Sequence, residues 1–363
     1  MQGHKVIIAG GGTGGHVFPA IAIARALERI EPGIQLLFVG ARGKMEMEKV
    51  PEAGYQIKGL NIAGMNRSQW WKNIFLPFKI LESLKQAKKI IRSFTPDVVV
   101  GVGGYASFPI LRRAQKEGIP TVIQEQNSYA GKTNQIIGKR AEKICVAYTG
   151  MERFFPAEKI IYTGNPVRSG IAENKITKEA ACAAFQLDPA RKTVLIVGGS
   201  LGAKSINEAI YAHLDALITN DIQLIWQTGK LFIDQAKEIT TGREASVKAM
   251  TFIQEMNYAY AAADVIVSRA GSTIAELCIV GKPAILVPYP YAAEDHQTRN
   301  ALSLVNKDAA LMVTDANARD QLVTGILELI ENKELQQKLA GNIKLMAIPN
   351  ADERIAKEIL DLV

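Results

Sequence analysis

Five of the six residues from Gly10 to Gly15 are glycine, in the order Gly-Gly-Gly-Thr-Gly-Gly. Lys5-Val-Ile-Ile-Ala9 precedes them, a short β-branched run that reads as a buried strand. Ala20-Ile-Ala-Ile-Ala-Arg-Ala-Leu-Glu-Arg29 follows, a strong helix former. Glycines there fill a tight strand-to-helix turn that needs positive φ or close backbone approach. Such a turn aims amide donors and the positive end of a helix at one point, which suits phosphate or developing negative charge. His16 enters as the helix starts, and Pro19 fits a first helical turn, where no amide donor is needed. Dense packing alone also produces glycine-rich turns, but a histidine here is a titratable group beside bound charge. The spacing is not that of a dinucleotide fold. The second strand, Gln35–Val39, ends in Gly40-Ala41-Arg42, with no acid for a ribose.

The pattern recurs along the chain. Asp97-Val-Val-Val-Gly101 is a strand that runs into Val102-Gly-Gly-Tyr105 and a helix through Lys116. Thr121–Gln124 is a strand ending in the polar cluster Glu125-Gln-Asn-Ser128. Tyr162-Thr-Gly-Asn-Pro-Val-Arg168 breaks structure and reads as a linker. Thr193–Val197 then restarts the alternation, with Gly198-Gly-Ser-Leu-Gly-Ala-Lys-Ser205 as a third glycine-rich turn and a helix through Leu217. Strands follow at 221–227, 247–251, 264–267 and 282–288. The fourth turn, Ser268-Arg-Ala-Gly-Ser-Thr-Ile-Ala-Glu276, offers Ser272 and Thr273 as helix caps. Strands alternating with helices specify two α/β doubly wound parallel sheets. Their glycine turns lie on the carboxyl edges, and the two halves are expected to face each other over a cleft. At 363 residues each half has length for a full core. The domains are expected at 1–164 and 165–349, with a break at Pro349 before a last helix.

The stretch 61–94 stands apart. It carries Trp70, Trp71, Ile74, Phe75, Phe78 and Leu81, with Arg67, Lys72, Lys79, Lys85, Lys88, Lys89 and Arg92, against the single acid Glu82. Pro77 starts the second of two helical segments. One reading is a helix with a buried stripe and a solvated basic face. The other is a surface whose aromatics enter a lipid headgroup layer while the lysines meet anionic lipid. The net charge of +7 fits an anionic partner, nucleic acid or membrane. Cys145, Cys182 and Cys278 show neither metal spacing nor an even disulfide set, so a reducing cytoplasm is expected. No apolar run approaches the ~20 residues of a membrane span, and glycines interrupt the first apolar run at once, so no signal peptide is expected. No metal-binding acid pair falls among the turns.

Taken in order, Gly10–His16, Gly103-Gly104-Tyr105, Glu125-Gln-Asn127, Gly164-Asn-Pro-Val-Arg168, Gly198–Ala203, Arg269–Glu276 and His296-Gln297 resemble the MurG family over nearly the whole chain. These are the N-acetylglucosaminyltransferases of peptidoglycan synthesis. Each motif is weak alone and the ordered set is specific. The resemblance implies the GT-B fold, with helix 350–363 packed back on the first domain. It implies transfer of GlcNAc from UDP-GlcNAc to the MurNAc 4-hydroxyl of undecaprenyl-diphospho-MurNAc-pentapeptide (lipid I), inverting to a β-1,4 bond in lipid II. No cofactor and no metal are implied. Thr13, Gly14, Gly15 and Asn127 are implied donor contacts from the first domain. Arg168, Ser200, Ile253, Ser272, Thr273, Glu276 and Gln297 are implied to hold UDP-GlcNAc, Ile253 through its backbone to uracil and Glu276 through the ribose. Gly14, Gly15, Gly103, Gly104 and Tyr105 are to receive the acceptor diphosphate, and Trp70, Trp71, Lys72, Phe75, Phe78 and Lys79 the membrane. The expected place is the cytoplasmic face of the bacterial plasma membrane, peripherally bound. Nucleic acid drops out as a partner; other proteins of cell-wall synthesis and division join.

An inverting transfer needs a base for the attacking hydroxyl and stabilisation of the departing UDP. His16 is the first candidate base, set against a role as phosphate ligand or turn residue. Glu125 is its rival. Two other functions stay in view: a different lipid-directed GT-B transferase, and a non-catalytic sugar-nucleotide-binding scaffold.

Overall fold

A computed structural model describes residues 3–64, 76–168, 170–172, 175–199 and 201–363. The chain divides into two compact units, Met1–Arg168 with Asn350–Val363, and Ser169–Pro349.

In the first unit, strands β1 (Lys5–Ala9), β2 (Gln35–Ala41), β3 (Ile57–Leu60), β4 (Val98–Gly101), β5 (Thr121–Glu125), β6 (Lys143–Val146) and β7 (Ile160–Tyr162) form one sheet. Their order is β3-β2-β1-β4-β5-β6-β7, and every neighbouring pair is parallel. The central strands are buried throughout, because parallel strands are covered by helices on both faces. The strand order reverses between β1 and β4. There the two connections leave in opposite directions and a crevice opens beyond the carboxyl ends.

The second unit repeats the plan with β8 (Lys192–Val197), β9 (Ile222–Gln227), β10 (Val247–Met250), β11 (Val265–Ser268), β12 (Ala284–Leu286) and β13 (Leu311–Met312). Its order is β10-β9-β8-β11-β12-β13, so the reversal falls between β8 and β11. The two doubly wound parallel sheets are the fold class that the alternating pattern specifies.

Several details depart from the sequence expectation. Helix α1 spans Gly14–Ile30 and so begins six residues before Ala20, taking in both glycines and His16. Pro19 therefore lies past the first turn. It is buried, and the amide it lacks is one that the helix would have used. The helix expected through Leu217 breaks at His213 into α7 (Lys204–Ala212) and α8 (Leu214–Thr219). Helix α9 (Ile233–Thr240) and the two-residue β13 went unread, being too short to show a period. The segment 165–168 groups with the first unit, because Asn165 is buried between Gln124 and Gln126. The aromatic–basic stretch is described from α3 (Leu76–Phe94) onward; Arg67, Trp70, Trp71, Lys72, Ile74 and Phe75 lie outside the described residues.

After Asn350, in the left-handed region at φ 57°, the chain ends in α15 (Ala351–Leu360). Ile355, Ala356 and Ile359 are fully buried in one cluster with Ala20, Ile23, Ala24 and Leu27 of α1. Arg29 donates to Asp352 at 2.9 Å and Lys143 to Glu358 at 2.6 Å, tying both rims of the helix to the first unit. Pairs that stay open to solvent in whole or in part contribute little, so the apolar seam carries the attachment. Ile355→Ala is expected to cost the first unit about 2–4 kcal/mol. Calorimetric unfolding checks this, through a lowered transition for that unit.

Candidate active site

The loop after β1 starts with glycines in the left-handed half of φ, Gly11 at 139° and Gly12 at 92°. A Cβ on Gly11 would lie 2.3 Å from the Glu46 carboxylate. Glu46 opens α2 (Glu46–Glu52) and is 1% exposed. Its Oε2 accepts the Gly12 N–H at 2.8 Å and its Oε1 the Ala41 N–H at 2.9 Å. The glycine turn is thus gripped from behind by a buried carboxylate. No motif in the sequence marked it; the only trace is an acid one turn after the second strand.

Thr13 stands at the N-cap of α1 in an extended conformation without capping it. Its Oγ1 lies 3.1 Å from His16 Nδ1 instead. Gly14 and Gly15 supply amides to the first turn, where the helix itself leaves donors unused.

Across the reversal point, the loop after β4 comes against this one. Gly103 has φ 93°, and a Cβ there would meet His16 Cδ2 at 2.8 Å and Nε2 at 3.0 Å. Gly104 has φ 79°, and its Cβ would stand 2.4 Å from the Gly11 carbonyl oxygen. Only glycine fits either position. Tyr105 is half-buried, with its hydroxyl pKa raised by burial and then by the charge of Glu46. Its ring lies beside Gly12 and Gly64. The structure thus brings together His16, Thr13, Gly14, Gly15, Gly103, Gly104 and Tyr105.

Glu125 ends β5 and is 2% exposed. It accepts from Asn127 N at 3.1 Å, Asn127 Nδ2 at 3.2 Å, Gly131 N at 3.0 Å and Asn134 Nδ2 at 2.9 Å. Burial pushes its pKa up, against these donors. The carboxylate holds the loop that presents Asn127. Arg168 packs its guanidinium over the Phe18 ring of α1, 5.0 Å from the centroid.

In the second unit, Gln227 at the end of β9 donates to the Gly199 carbonyl at 2.8 Å. Its Oε1 accepts the Ile253 N–H at 2.9 Å. The Ile253 amide is thereby committed within the unit. Ser200 lies outside the described residues. Helix α11 (Thr273–Val280) starts directly after the reversal-point strand β11; Ser272 is at its N-cap position but makes no capping bond. Glu276 is buried one turn in and accepts from the Tyr260 hydroxyl at 2.7 Å. Ahead of α12 (His296–Val305), Glu294 and Asp295 both hold left-handed backbone, φ 55° and 53°. Two such residues in a row are strain retained at a fixed loop. That loop presents His296 and Gln297, and Gln297 Oε1 accepts the Tyr289 N–H at 2.9 Å. Among the described residues no cluster of three His, Cys, Asp or Glu could hold a metal ion.

Comparison with known proteins follows the same division. Residues 6–146 match the N-terminal domain of glycosyltransferase family 28, and residues 193–355 match its C-terminal domain. A Bacteroides fragilis protein is 52% identical over 362 residues, 99% of this chain and 95% of its own. A Parabacteroides distasonis protein is 50% identical over 365 residues, 100% and 99% of the two chains. Both are named UDP-N-acetylglucosamine--N-acetylmuramyl-(pentapeptide) pyrophosphoryl-undecaprenol N-acetylglucosamine transferase. A crystal structure of Acinetobacter baumannii MurG superposes with a TM-score of 0.77 at 29% identity, covering 99% of each chain. A UDP-GlcNAc 2-epimerase from Neisseria meningitidis shares the fold, with a TM-score of 0.68 at 17% identity.

The folded state holds the Glu125 proton more tightly than the unfolded chain does. Stability from this group therefore falls as pH rises from about 4.3, the ordinary carboxylate value, through its raised pKa. In Glu125→Gln that slope is absent. Denaturant unfolding of both proteins between pH 4 and 7 is expected to shift the difference toward the variant as pH rises; a pH-independent difference contradicts it.

Proposed function

This chain belongs to glycosyltransferase family 28, and from that membership we propose that it makes lipid II. It transfers GlcNAc from UDP-GlcNAc to the MurNAc 4-hydroxyl of lipid I, with inversion, as a step of peptidoglycan synthesis. The observation that carries the reading is the one histidine set at a backbone-lined crevice. Thr13 and Gly103 fix His16 there, in a chain half-identical along its length to enzymes named for this reaction.

The first unit handles the acceptor. The first-turn amides at Gly14 and Gly15, with the loop at Gly103, Gly104 and Tyr105, receive its diphosphate, as helix starts and close backbone do for anions. His16 is the base for the attacking hydroxyl. For that, Nδ1–H donates to Thr13 Oγ1 and Nε2 takes the proton. Glu125 is a positioning residue that holds Asn127, since its oxygens are committed within the loop.

The second unit holds the donor. The start of α11, with Ser272 and Thr273, stabilises the negative charge on the departing UDP without moving at the moment of reaction. Ser200 shares that charge in this reading. Glu276 takes the ribose, the Ile253 carbonyl the uracil and Gln297 the sugar.

The acceptor is a membrane lipid, and the protein works at the cytoplasmic face of the plasma membrane. Among the described residues no helix is long and apolar enough to cross a membrane. Helix α3 buries Ser83, Ala87 and Ile91 against the first unit. Its outer stripe runs Phe78, Leu81, Lys85, Lys88 and Arg92, spaced three and four apart, with Phe78 70% and Leu81 58% exposed. The helix has a buried stripe inside and an apolar-then-basic face outside, and of the two readings we take the second, because that outer face suits an anionic lipid surface. Proteins of cell-wall synthesis and division are further proposed partners.

UDP release from UDP-GlcNAc with a lipid I analogue, assayed in EDTA, tests the chemistry. Wild type is expected to turn over, and His16→Ala to lose about 10²-fold or more in kcat. A near-normal variant removes His16 from the reaction, and an inactive wild type removes the acceptor assignment. For the docking face, Phe78→Ser with Leu81→Ser is expected to cut binding to phosphatidylglycerol vesicles about tenfold or more, since each exposed apolar side chain buried in lipid is worth about 1.5–3 kcal/mol. Sedimentation with the vesicles reads this, and undiminished binding overturns the docking assignment.

A further inference from the structure

Arg269 follows β11 directly and is 11% exposed at its side chain. It reaches the carboxyl ends of three neighbouring strands. Nη1 donates to the carbonyls of Val287 at 3.0 Å and Pro288 at 3.2 Å, just past β12. Nη1 also donates to Asp315 Oδ1 at 2.5 Å, past β13. Nη2 donates to Ser205 Oγ at 3.1 Å, at the start of α7 beyond β8. The Ser205 hydroxyl in turn donates to the same Asp315 oxygen at 2.5 Å. One carboxylate thus closes a ring that joins the ends of four adjacent strands, β8, β11, β12 and β13. The Arg269 guanidinium also lies over the Tyr289 ring, 5.5 Å from its centroid. The Tyr289 amide is the donor to Gln297.

We infer that Asp315 is a positioning residue for the donor site: it fixes Arg269, and through Arg269 the loops that carry Ser272, Thr273 and Gln297. Asp315 lies outside every glycine-rich motif, and nothing in its local sequence suggests a role. Without the carboxylate, Arg269 keeps its two carbonyl partners just past β12 and the Ser205 hydroxyl, but loses the link to β13, and Ser205 loses its own bond to Asp315. A mostly buried guanidinium then lacks its countercharge. The turn between β11 and α11 and the Tyr289 loop are freed to drift relative to the segment after β13, with the start of α7 held by one neutral hydrogen bond in place of a closed ring. Sites that bind through several fixed donors lose affinity when such supports loosen.

The inference rests on the reading of the second unit as the UDP-GlcNAc site. Calorimetric titration with UDP-GlcNAc and steady-state UDP release are therefore run on wild type, Asp315→Ala, Asp315→Asn and Ser205→Ala. A wild type that does not bind UDP-GlcNAc overturns the donor reading itself. With wild type binding, Asp315→Ala is expected to raise the donor KM about tenfold or more, with kcat at saturating donor within about threefold and the acceptor KM unchanged. Asp315→Asn, which keeps the accepting oxygen, restores most of the loss. A donor KM within about twofold of wild type in Asp315→Ala overturns the inference alone. So does equal impairment of the Ala and Asn variants in step with lowered melting temperatures. Should Asp315→Ala not fold, Ser205→Ala decides, because it cuts both hydrogen bonds at the α7 end of the ring and removes no charge. A donor KM raised about threefold at unchanged melting temperature supports the role, and a wild-type KM overturns it.

Discussion

Where β1 and β4 part, two backbones touch. The Gly104 α-carbon lies so close to the Gly11 carbonyl that no side chain fits between them. The rest of the first unit's chemistry depends on this approach. It brings the loop after β4 against the start of α1, so that the amides of one and the glycines of the other line the same crevice. It also leaves His16 a single place, with its imidazole edge against Gly103 and its Nδ1 at Thr13. The contact is held from behind by Glu46, whose oxygens are occupied by Gly12 and Ala41. A buried carboxylate is costly unless its acceptors are filled, and two backbone amides offset that cost while fixing the turn.

The second unit solves the same problem with different atoms. Gly202 and Gly229 pack backbone to backbone, a Cβ on Gly202 falling 2.1 Å from the Thr228 carbonyl oxygen. A side-chain amide, Gln227, takes the place that Glu46 fills in the first unit, bridging the Gly199 loop to Ile253. Beside it, the ion pair of Arg269 and Asp315 secures the strands on the other side of the reversal point. Two similar sheets are thus specialised by which polar side chain braces the glycine turn. In the first unit the brace is a carboxylate behind a histidine; in the second it is an amide, with an arginine at the next strand.

The doubly wound sheets and the resemblance to the MurG family were legible in the sequence, because both are written in local order. A β-branched run, a glycine cluster and an apolar-periodic run give strand, turn and helix in a few residues. The ordered motifs from Gly10 to Gln297 point to a family that the full-length relatives bear out. The braces were not legible. Glu46 is separated from Gly12 by 34 residues and Asp315 from Ser205 by 110. At each position the sequence shows only an ordinary acid, and its meaning arises when the sheet brings strand ends together. The early start of α1 was missed for a related reason. Gly14 and Gly15 disfavour helix on propensity, and the tertiary contacts of the turn override that.

The last helix has a consequence for how the chain is made. Because α15 belongs to the core of the first unit, the second unit is an insertion within the first rather than a bead after it. A ribosome emitting about 5–20 residues per second completes the whole inserted body before it delivers Ile355 and Ile359. During that interval, on the order of ten seconds or more, the seam along Ala20, Ala24 and Leu27 waits without its cover. The order of synthesis therefore gives the second unit a head start. It makes the nascent first unit the natural client of whatever shields apolar surface in the cell.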